Sequence, residues 1–315
     1  MKKNLYNILT IFILIIVLIF ILVFSDEVII SVLYALEIWK KNIIPSLFPI
    51  FIVTDLLISY GFIDILGKLS KNITSKLLNL PGETSFVIIG SMLSGFPSSA
   101  KYIKELLDNK NITYKQAQYL LSFTHFPNPL FVIGIVGEKL LKNKLIGICI
   151  LISIILGNIL IAILLKEKNT ISIIKNTQNT SKFKNDNFIT ILTTSILKTI
   201  NTLLLLLGII TTFLVISTII NNIINKDSIF TIMISGILEM TQGINYISLE
   251  NMNILIKSII ITCFISFGGI SIHLQVISII SCEKIKYSKY LISRIFHCII
   301  SSIIVFILLR FILKI

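Results

Sequence analysis

The sequence predicts an all-α polytopic membrane protein with about eight to ten membrane segments, folded as two inverted repeats that contain interrupted and re-entrant helices. Of the 315 residues, 55% are hydrophobic and only 14% are charged, and the mean hydropathy is +0.96. A soluble domain carries about 25% charged residues. Apolar runs of about 20 residues, the length that spans a bilayer, recur along the chain. Several runs contain proline, glycine or polar residues, which predict interrupted helices.

The predicted membrane segments follow these apolar runs. They are residues 5–24, 43–60, 85–100, 119–137, 145–165, 189–220, 228–247, 254–280 and 290–309. Lys2 and Lys3 precede the first run, and Asp26 and Glu27 follow it. That run is longer than the apolar part of a signal peptide, and no small-x-small cleavage site follows it. We therefore expect an uncleaved anchor whose N-terminus lies in the cytoplasm.

The net charge of +13 resides mainly in lysines that cluster in the short connections between apolar runs. This distribution is typical of charges that set membrane topology, and no DNA-binding motif accompanies it, so nucleic acid is excluded as a partner. The four cysteines form no CxxC pair, and we expect them to be small apolar residues without a disulfide framework or a metal site. Common enzyme motifs are absent, and we expect neither catalytic residues nor a cofactor.

A polar stretch divides the chain. The predicted organisation is an anchor helix at residues 1–27, a first repeat at 28–165, a polar loop at 166–187 and a second repeat at 188–315. The halves correspond at an offset of 141 residues, the separation of Ser94 from Ser235. At that offset Phe123 falls on Phe264, and the breaker Pro127 falls on Gly268. Charge does not decide whether the repeats are inverted, because both corresponding connections, 138–144 and 281–289, are basic.

Interrupted helices in corresponding positions of two repeats indicate a transporter binding site. Proline removes a backbone donor, and in lipid the freed carbonyl groups need partners, so breaks persist where they line an enclosed cavity. We expect helices to stop or kink at residues 95–97, 127–129 and 268–269, and these breaks to converge near mid-membrane. A simple proline kink is the alternative for any one of them.

Two polar features of the second half lie near these breaks. Glu239 stands inside an apolar run, where a charge is costly, so we expect it to face the interior with a polar or basic partner. Ser271, His273 and Gln275 alternate with apolar residues. We interpret this stretch as extended or loosely helical, with its polar groups facing a cavity; contacts between helices are the alternative.

Five segments, in this order along the chain, resemble a known family. They are residues 44–49 (IPSLFP), 94–101 (SGFPSSAK), 123–134 (FTHFPNPLFVIG), 238–241 (LEMT) and 267–275 (FGGISIHLQ). They resemble sporulation integral membrane proteins of the YlbJ type, which belong to the nucleoside-recognition, or gate-domain, membrane proteins related to concentrative nucleoside transporters. The resemblance implies two gate-like repeats, a bacterial cell membrane location such as the forespore outer membrane, and transport of dipicolinic acid from the mother cell toward the forespore.

Three functions remain open from the sequence. The first is transport of a small carboxylate such as dipicolinate. The second is transport of a neutral nucleoside or nucleobase, for which Glu239 and Gln242 would matter more than Lys101. The third is a non-transporting assembly factor of the forespore membrane. The expected partners are the solute and the lipid bilayer, and also a second copy or other sporulation membrane proteins.

The expected substrate-binding residues lie in or next to the interrupted segments. They are Ser94, Gly95, Pro97, Ser98, Lys101, His125, Asn128, Pro129, Glu239, Thr241, Gln242, Gly268, Gly269, Ser271, His273, Gln275 and Arg294. Lys101 and Arg294 are expected to favour anions, although Lys101 could instead mark a membrane edge and Arg294 could set topology. His297 is expected to be structural, and Asp55 has no evident partner.

Overall fold

The computed structural model describes residues 2–166, 187–224, 228–281 and 284–312, and 86% of these residues are helical with no strand among them. The all-α class predicted from the sequence is confirmed. The helices are α1 (Lys2–Val23), α2 (Ser25–Ile38), π1 (Trp39–Ile43), α3 (Ile44–Ser59), α4 (Phe62–Leu78), α5 (Thr84–Ser94), α6 (Ser98–Asp108), α7 (Tyr114–Phe123), π2 (Phe131–Leu140), α8 (Lys144–Leu164), α9 (Phe188–Ile223), α10 (Ile229–Leu238), α11 (Met240–Leu249), α12 (Ile254–Phe267), α13 (Gly269–Ile280) and α14 (Tyr287–Ile312).

Six stretches of the described chain are long and apolar enough to cross a membrane. They are Tyr6–Val23, Ser25–Ser59, Lys144–Leu164, Phe188–Ile223, Ile254–Ile280 and Tyr287–Ile312. Two shorter apolar helices, α5 and α10, each form one arm of a helical hairpin with α6 and α11. The anchor helix α1 has no buried residues within its apolar window. Most of the polar loop predicted at 166–187 lies outside the described residues, as does Cys282.

The interruptions predicted from the sequence are present. α5 ends at Ser94 and α6 begins at Ser98, α7 ends at Phe123 and π2 begins at Phe131, and Gly268 separates α12 from α13. Gly268 and Gly269 have φ values of 91° and 69°, which side-chain-bearing residues rarely adopt. A further break lies at Glu239, between α10 and α11, inside the segment that the sequence places opposite residues 94–101.

The hairpin α10–α11 closes tightly because glycines meet at its centre. A Cβ atom added at Gly243 would lie 2.2 Å from the Cα atom of Gly236, and one added at Gly236 would overlap the ring of Phe264. The two arms can therefore approach more closely than side chains would permit, and α12 packs directly against them.

Elements of the same kind follow one another in the same order in the two halves. Each contains a hairpin (α5–α6, α10–α11), then an interrupted pair (α7–π2, α12–α13), then a long helix (α8, α14). Tyr114, Leu164 and Lys289 line one cavity, so α14 begins where α8 ends, and α7 begins there too. Lys142, which precedes α8, and Lys286, which precedes α14, therefore lie at opposite ends of this pair of helices. The inverted repeats stay a prediction.

Residues 269–280 form a regular α-helix, so the expectation of an extended or loosely helical stretch was wrong. In lipid a single extended segment leaves its backbone groups without partners, whereas a helix satisfies them internally. The alternation of polar and apolar residues was misleading because a broad face of α13 is buried, and this face includes both kinds of residue. Ser271, His273 and Gln275 are buried, and so are the neighbouring apolar residues Ile272 and Val276.

The expectation that no cysteines pair was also wrong. Cys263 on α12 and Cys298 on α14 form a disulfide with their Cα atoms 4.7 Å apart, while Cys149 is buried and free. The two cysteines are 35 residues apart. Only the close packing of α12 on α14 brings them together, and sequence spacing carries no sign of that packing.

Candidate functional site

A cavity of about 540 Å³, which we call the central cavity, is lined by residues of three helix breaks and by α13, which follows the fourth break. Its lining comes from the α2–α3 junction, the α5–α6 break, the α7–π2 break, π2, α9, the α10–α11 break and α13. The polar and aromatic lining residues are Lys41, Asn42, Ser46, Ser94, Phe96, Asn128, Phe131, Glu138, Lys139, Glu239, Thr241 and Gln275. The cavity lies at the end of the protein where α8 begins.

The breaks touch one another, as the sequence predicts. The backbone N–H of Phe96 donates to the carbonyl oxygen of Phe126 at 2.7 Å, and the Phe96 ring stacks on that of His125 with centroids 4.6 Å apart. A Cβ atom at Gly268 would lie 2.6 Å from His125 Nε2, and one at Gly269 would lie 3.1 Å from the backbone nitrogen of Met240. All four interruptions therefore meet in one small region.

Asn128 ties two of the breaks together. Its amide nitrogen donates to the carbonyl oxygen of Ser94 at 3.2 Å, and its Oδ1 atom accepts from the backbone N–H of Leu130 at 2.8 Å and of Phe131 at 3.4 Å. The side chain binds backbone N–H groups where π2 begins and satisfies a carbonyl group at the end of α5. Asn128 therefore lines the cavity and also supports its shape.

Glu239 is buried and caps α11, which confirms the expectation of an interior position with polar partners. Its Oε2 atom accepts from the backbone N–H groups of Thr241 at 2.8 Å and Gln242 at 3.2 Å, and from the hydroxyl group of Thr241. A carboxylate at a helix N-terminus compensates the exposed N–H groups and the positive end of the helix dipole. These hydrogen bonds all use Oε2, and Glu239 also belongs to the cavity lining.

Six of the seventeen residues proposed from the sequence line the central cavity. They are Ser94, Pro97, Asn128, Glu239, Thr241 and Gln275. A second group lies just behind this lining and shapes it: Gly95, Ser98, His125, Pro129, Gln242, Gly268, Gly269 and Ser271. Ser98, for example, accepts a hydrogen bond at 2.6 Å from the hydroxyl group of Ser94.

Lys101 does not line the cavity. Its ammonium group lies 2.8 Å from Asp55 Oδ1 and 4.3 Å from the ring centroid of Phe51. Asp55 therefore has a partner, contrary to the sequence-based expectation, and the pair joins α6 to α3. Lys101 follows the break by only a few residues in sequence, but α6 directs it toward α3.

Arg294 and the three histidines form a buried polar layer beside the cavity. Arg294 donates a hydrogen bond to the carbonyl oxygen of Ser122. Its Nη1 atom lies 3.0 Å from Nδ1 of His297. Tyr290 bonds His125 Nδ1 at 3.1 Å. His273 bonds Tyr287 and the carbonyl oxygen of Phe267, at 3.1 Å and 2.9 Å, so it joins helices instead of lining the cavity. We call this set (His125, His273, Tyr287, Tyr290, Arg294, His297) the polar layer.

Nothing in the sequence indicated that the α2–α3 junction and π2 contribute residues to the cavity lining. Lys41, Asn42, Glu138 and Lys139 line the cavity, yet they look like ordinary charges at helix ends. No signal in the sequence shows which side of a helix end faces inward. Among the described residues, no group of three histidine, cysteine or acidic residues is placed to hold a metal ion.

Comparison with known proteins confirms the resemblance seen in the motifs. Residues 41–143 match the family model described as "Gate: Nucleoside recognition". The chain is also similar to the sporulation integral membrane protein YlbJ of Bacillus subtilis (strain 168), with 27% identity over 307 residues, 87% of this chain and 75% of that protein. No solved structure matches. The family match includes the α5–α6 and α7–π2 breaks, and the second half of the site lies outside it.

Proposed function

We propose that this relative of a sporulation membrane protein is a transporter that carries dipicolinate from the mother cell toward the forespore through the central cavity. The observation that carries the proposal is that four helix interruptions meet beside that cavity and that three of them contribute residues to its lining. Broken helices expose backbone donors and acceptors, and membrane proteins retain them where a solute or ion binds. A cavity of about 540 Å³ is within the usual size range for small-molecule sites.

The lining suits a planar molecule with polar edges. Phe96 offers an aromatic face, Gln275 and Asn42 offer amide groups, and Lys139 supplies a cation. Arg294 lies behind the lining with no carboxylate partner among the described residues, so its charge makes the region more favourable to anions. These features favour a small dicarboxylate, although Lys101 no longer contributes because Asp55 neutralises it.

The polar layer closes the cavity toward the opposite end of the protein. Phe96 lines the cavity and stacks on His125, which bonds Tyr290, and the Tyr290 ring lies 5.6 Å from the Arg294 guanidinium carbon. A solute that crosses must pass where these side chains now pack. Movement of the two hairpins relative to the interrupted helices would open that route, because the breaks meet there.

A neutral nucleoside is the second candidate, and two observations favour it. Glu239 places a carboxylate in the cavity wall, which would repel a dianion and could accept hydrogen bonds from sugar hydroxyl groups. The family model that matches residues 41–143 carries the description of nucleoside recognition.

Uptake into proteoliposomes separates the candidates. We expect labelled dipicolinate to accumulate faster than uridine, and Gln275→Ala to reduce uptake about tenfold through the loss of a hydrogen bond to a charged solute. Asn222→Ala is the matched control, because that amide lies on α9 outside the cavity lining and bonds its own helix. Faster uptake of uridine would support the nucleoside candidate. If folded protein takes up neither solute, the transport proposal is wrong and an assembly role is favoured.

A further inference from the structure

A second cavity, of about 710 Å³, lies at the end of the protein where α8 ends and is separate from the central cavity. It lies between the start of α7, the end of α8 and the start of α14 with its preceding connection. The lining residues are Tyr114, Lys115, Gln118, Tyr119, Ser122, Ile161, Leu164, Leu165, Lys284, Lys286, Lys289, Ile292, Ser293 and Phe296. We call it the basic groove.

The groove carries concentrated positive charge. Lys115, Lys284, Lys286 and Lys289 line it, and none of its described lining residues is acidic. The basic connection is held in place: the backbone N–H of Lys286 donates to Gln118 Oε1 at 2.6 Å, and Lys284 lies 4.6 Å from the ring centroid of Tyr114. Like charges repel, so a cluster of lysines around one groove is more stable when an anion occupies it.

Part of the groove wall is apolar and exposed. Leu164, Ile292 and Phe296 are 72%, 53% and 58% exposed, although they belong to two membrane-crossing helices. In a bilayer such residues contact acyl chains. The lysines lie at the ends of these helices, at the depth where lipid headgroups meet water. A water-soluble anion would use the lysines and leave these apolar walls without a role.

We propose that the basic groove binds one anionic phospholipid, with its phosphate group on Lys286 and Lys289 and its acyl chains along Leu164, Ile292 and Phe296. Basic pockets between membrane helices bind lipid headgroups by this combination of charge and apolar contact. The site is independent of the solute in the central cavity. The proposal gives the protein a lipid partner, an anionic phospholipid, at the end where α8 ends.

The test is retention of lipid by the purified full-length protein, measured by native mass spectrometry after titration with phosphatidylglycerol or phosphatidylcholine of the same acyl chains. Phosphatidylglycerol should bind more tightly, and the double variant Lys286→Gln/Lys289→Gln should weaken its binding about tenfold or more. The matched control is Lys142→Gln/Lys144→Gln, which removes the same charge from exposed positions at the opposite end.

Three results would overturn the proposal. One is equal binding of the two lipids. Another is an equal loss of binding in both double variants, which would show a general effect of net charge. The third is displacement of phosphatidylglycerol by glycerol phosphate at similar concentration, because the apolar walls would then contribute nothing.

Discussion

Replacing Gly95 with alanine should abolish uptake and destabilise the protein. Gly95 has φ 83° and ψ 174°, a conformation adopted almost only by glycine, and forcing another residue into it costs about 1–3 kcal/mol. A Cβ atom there would also lie 2.4 Å from the backbone nitrogen of Asn128. Relieving that overlap costs a further 1–3 kcal/mol, approximately, and separates the α5–α6 tip from the α7–π2 break.

Gly208→Ala is the control for this change. Gly208 lies within α9, and a Cβ atom there would meet nothing within 4 Å. Alanine favours helix over glycine by roughly 0.5–1 kcal/mol, so this variant should be as stable as the wild type or slightly more stable. The melting temperature in detergent measures the change in stability of each variant, and uptake into proteoliposomes measures the change in transport. A Gly95→Ala variant with wild-type melting temperature and uptake would show that the contact between the two breaks is unimportant.

Replacing Arg294 with glutamine should lower the free energy of unfolding by about 2–4 kcal/mol. The side chain is fully buried, and its guanidinium group donates to the carbonyl oxygen of Ser122 and contacts His297. The shorter glutamine leaves that buried carbonyl group without its donor. Lysine should not restore stability, because a single ammonium group cannot reproduce the planar fork that reaches both partners.

Arg310→Gln provides the comparison, because Arg310 lies on the same helix but is exposed near the ring of Phe306. Its replacement should change the melting temperature little. The sequence alone predicts that Arg294→Gln reduces dianion transport more than it reduces expression. The buried position of Arg294 instead predicts that transport and expression fall together. If Arg294→Gln is expressed normally and keeps the wild-type melting temperature but loses transport, Arg294 binds the anion directly.

The breaks were predictable because proline and glycine act locally. Residues 95–97, 127–129 and 268–269 end helices whatever surrounds them, and hydropathy located the long helices α8, α9 and α14. The break at Glu239 was less visible, because no proline or glycine stands there. A carboxylate that caps the following helix ends α10 instead.

Side-chain direction was not predictable, because hydropathy gives the length of a helix but not its rotation. Lys101 and Arg294 both lie near breaks in sequence, yet α6 turns Lys101 toward Asp55 and α14 buries Arg294 among the histidines. The same limit concealed Lys41 and Lys139 in the cavity lining. The pairing of Cys263 with Cys298 likewise depends on how two distant helices pack.

Protection of a cysteine in the cavity tests most directly whether the solute binds where the helices break. In Gln275→Cys, maleimide labelling should slow in proportion to the occupancy of the site by dipicolinate, or by uridine if that is the solute transported. Labelling of Asn222→Cys, outside the cavity lining, should not change. If a solute that the protein transports leaves the rate at position 275 unchanged at saturating concentration, the solute does not bind in the central cavity.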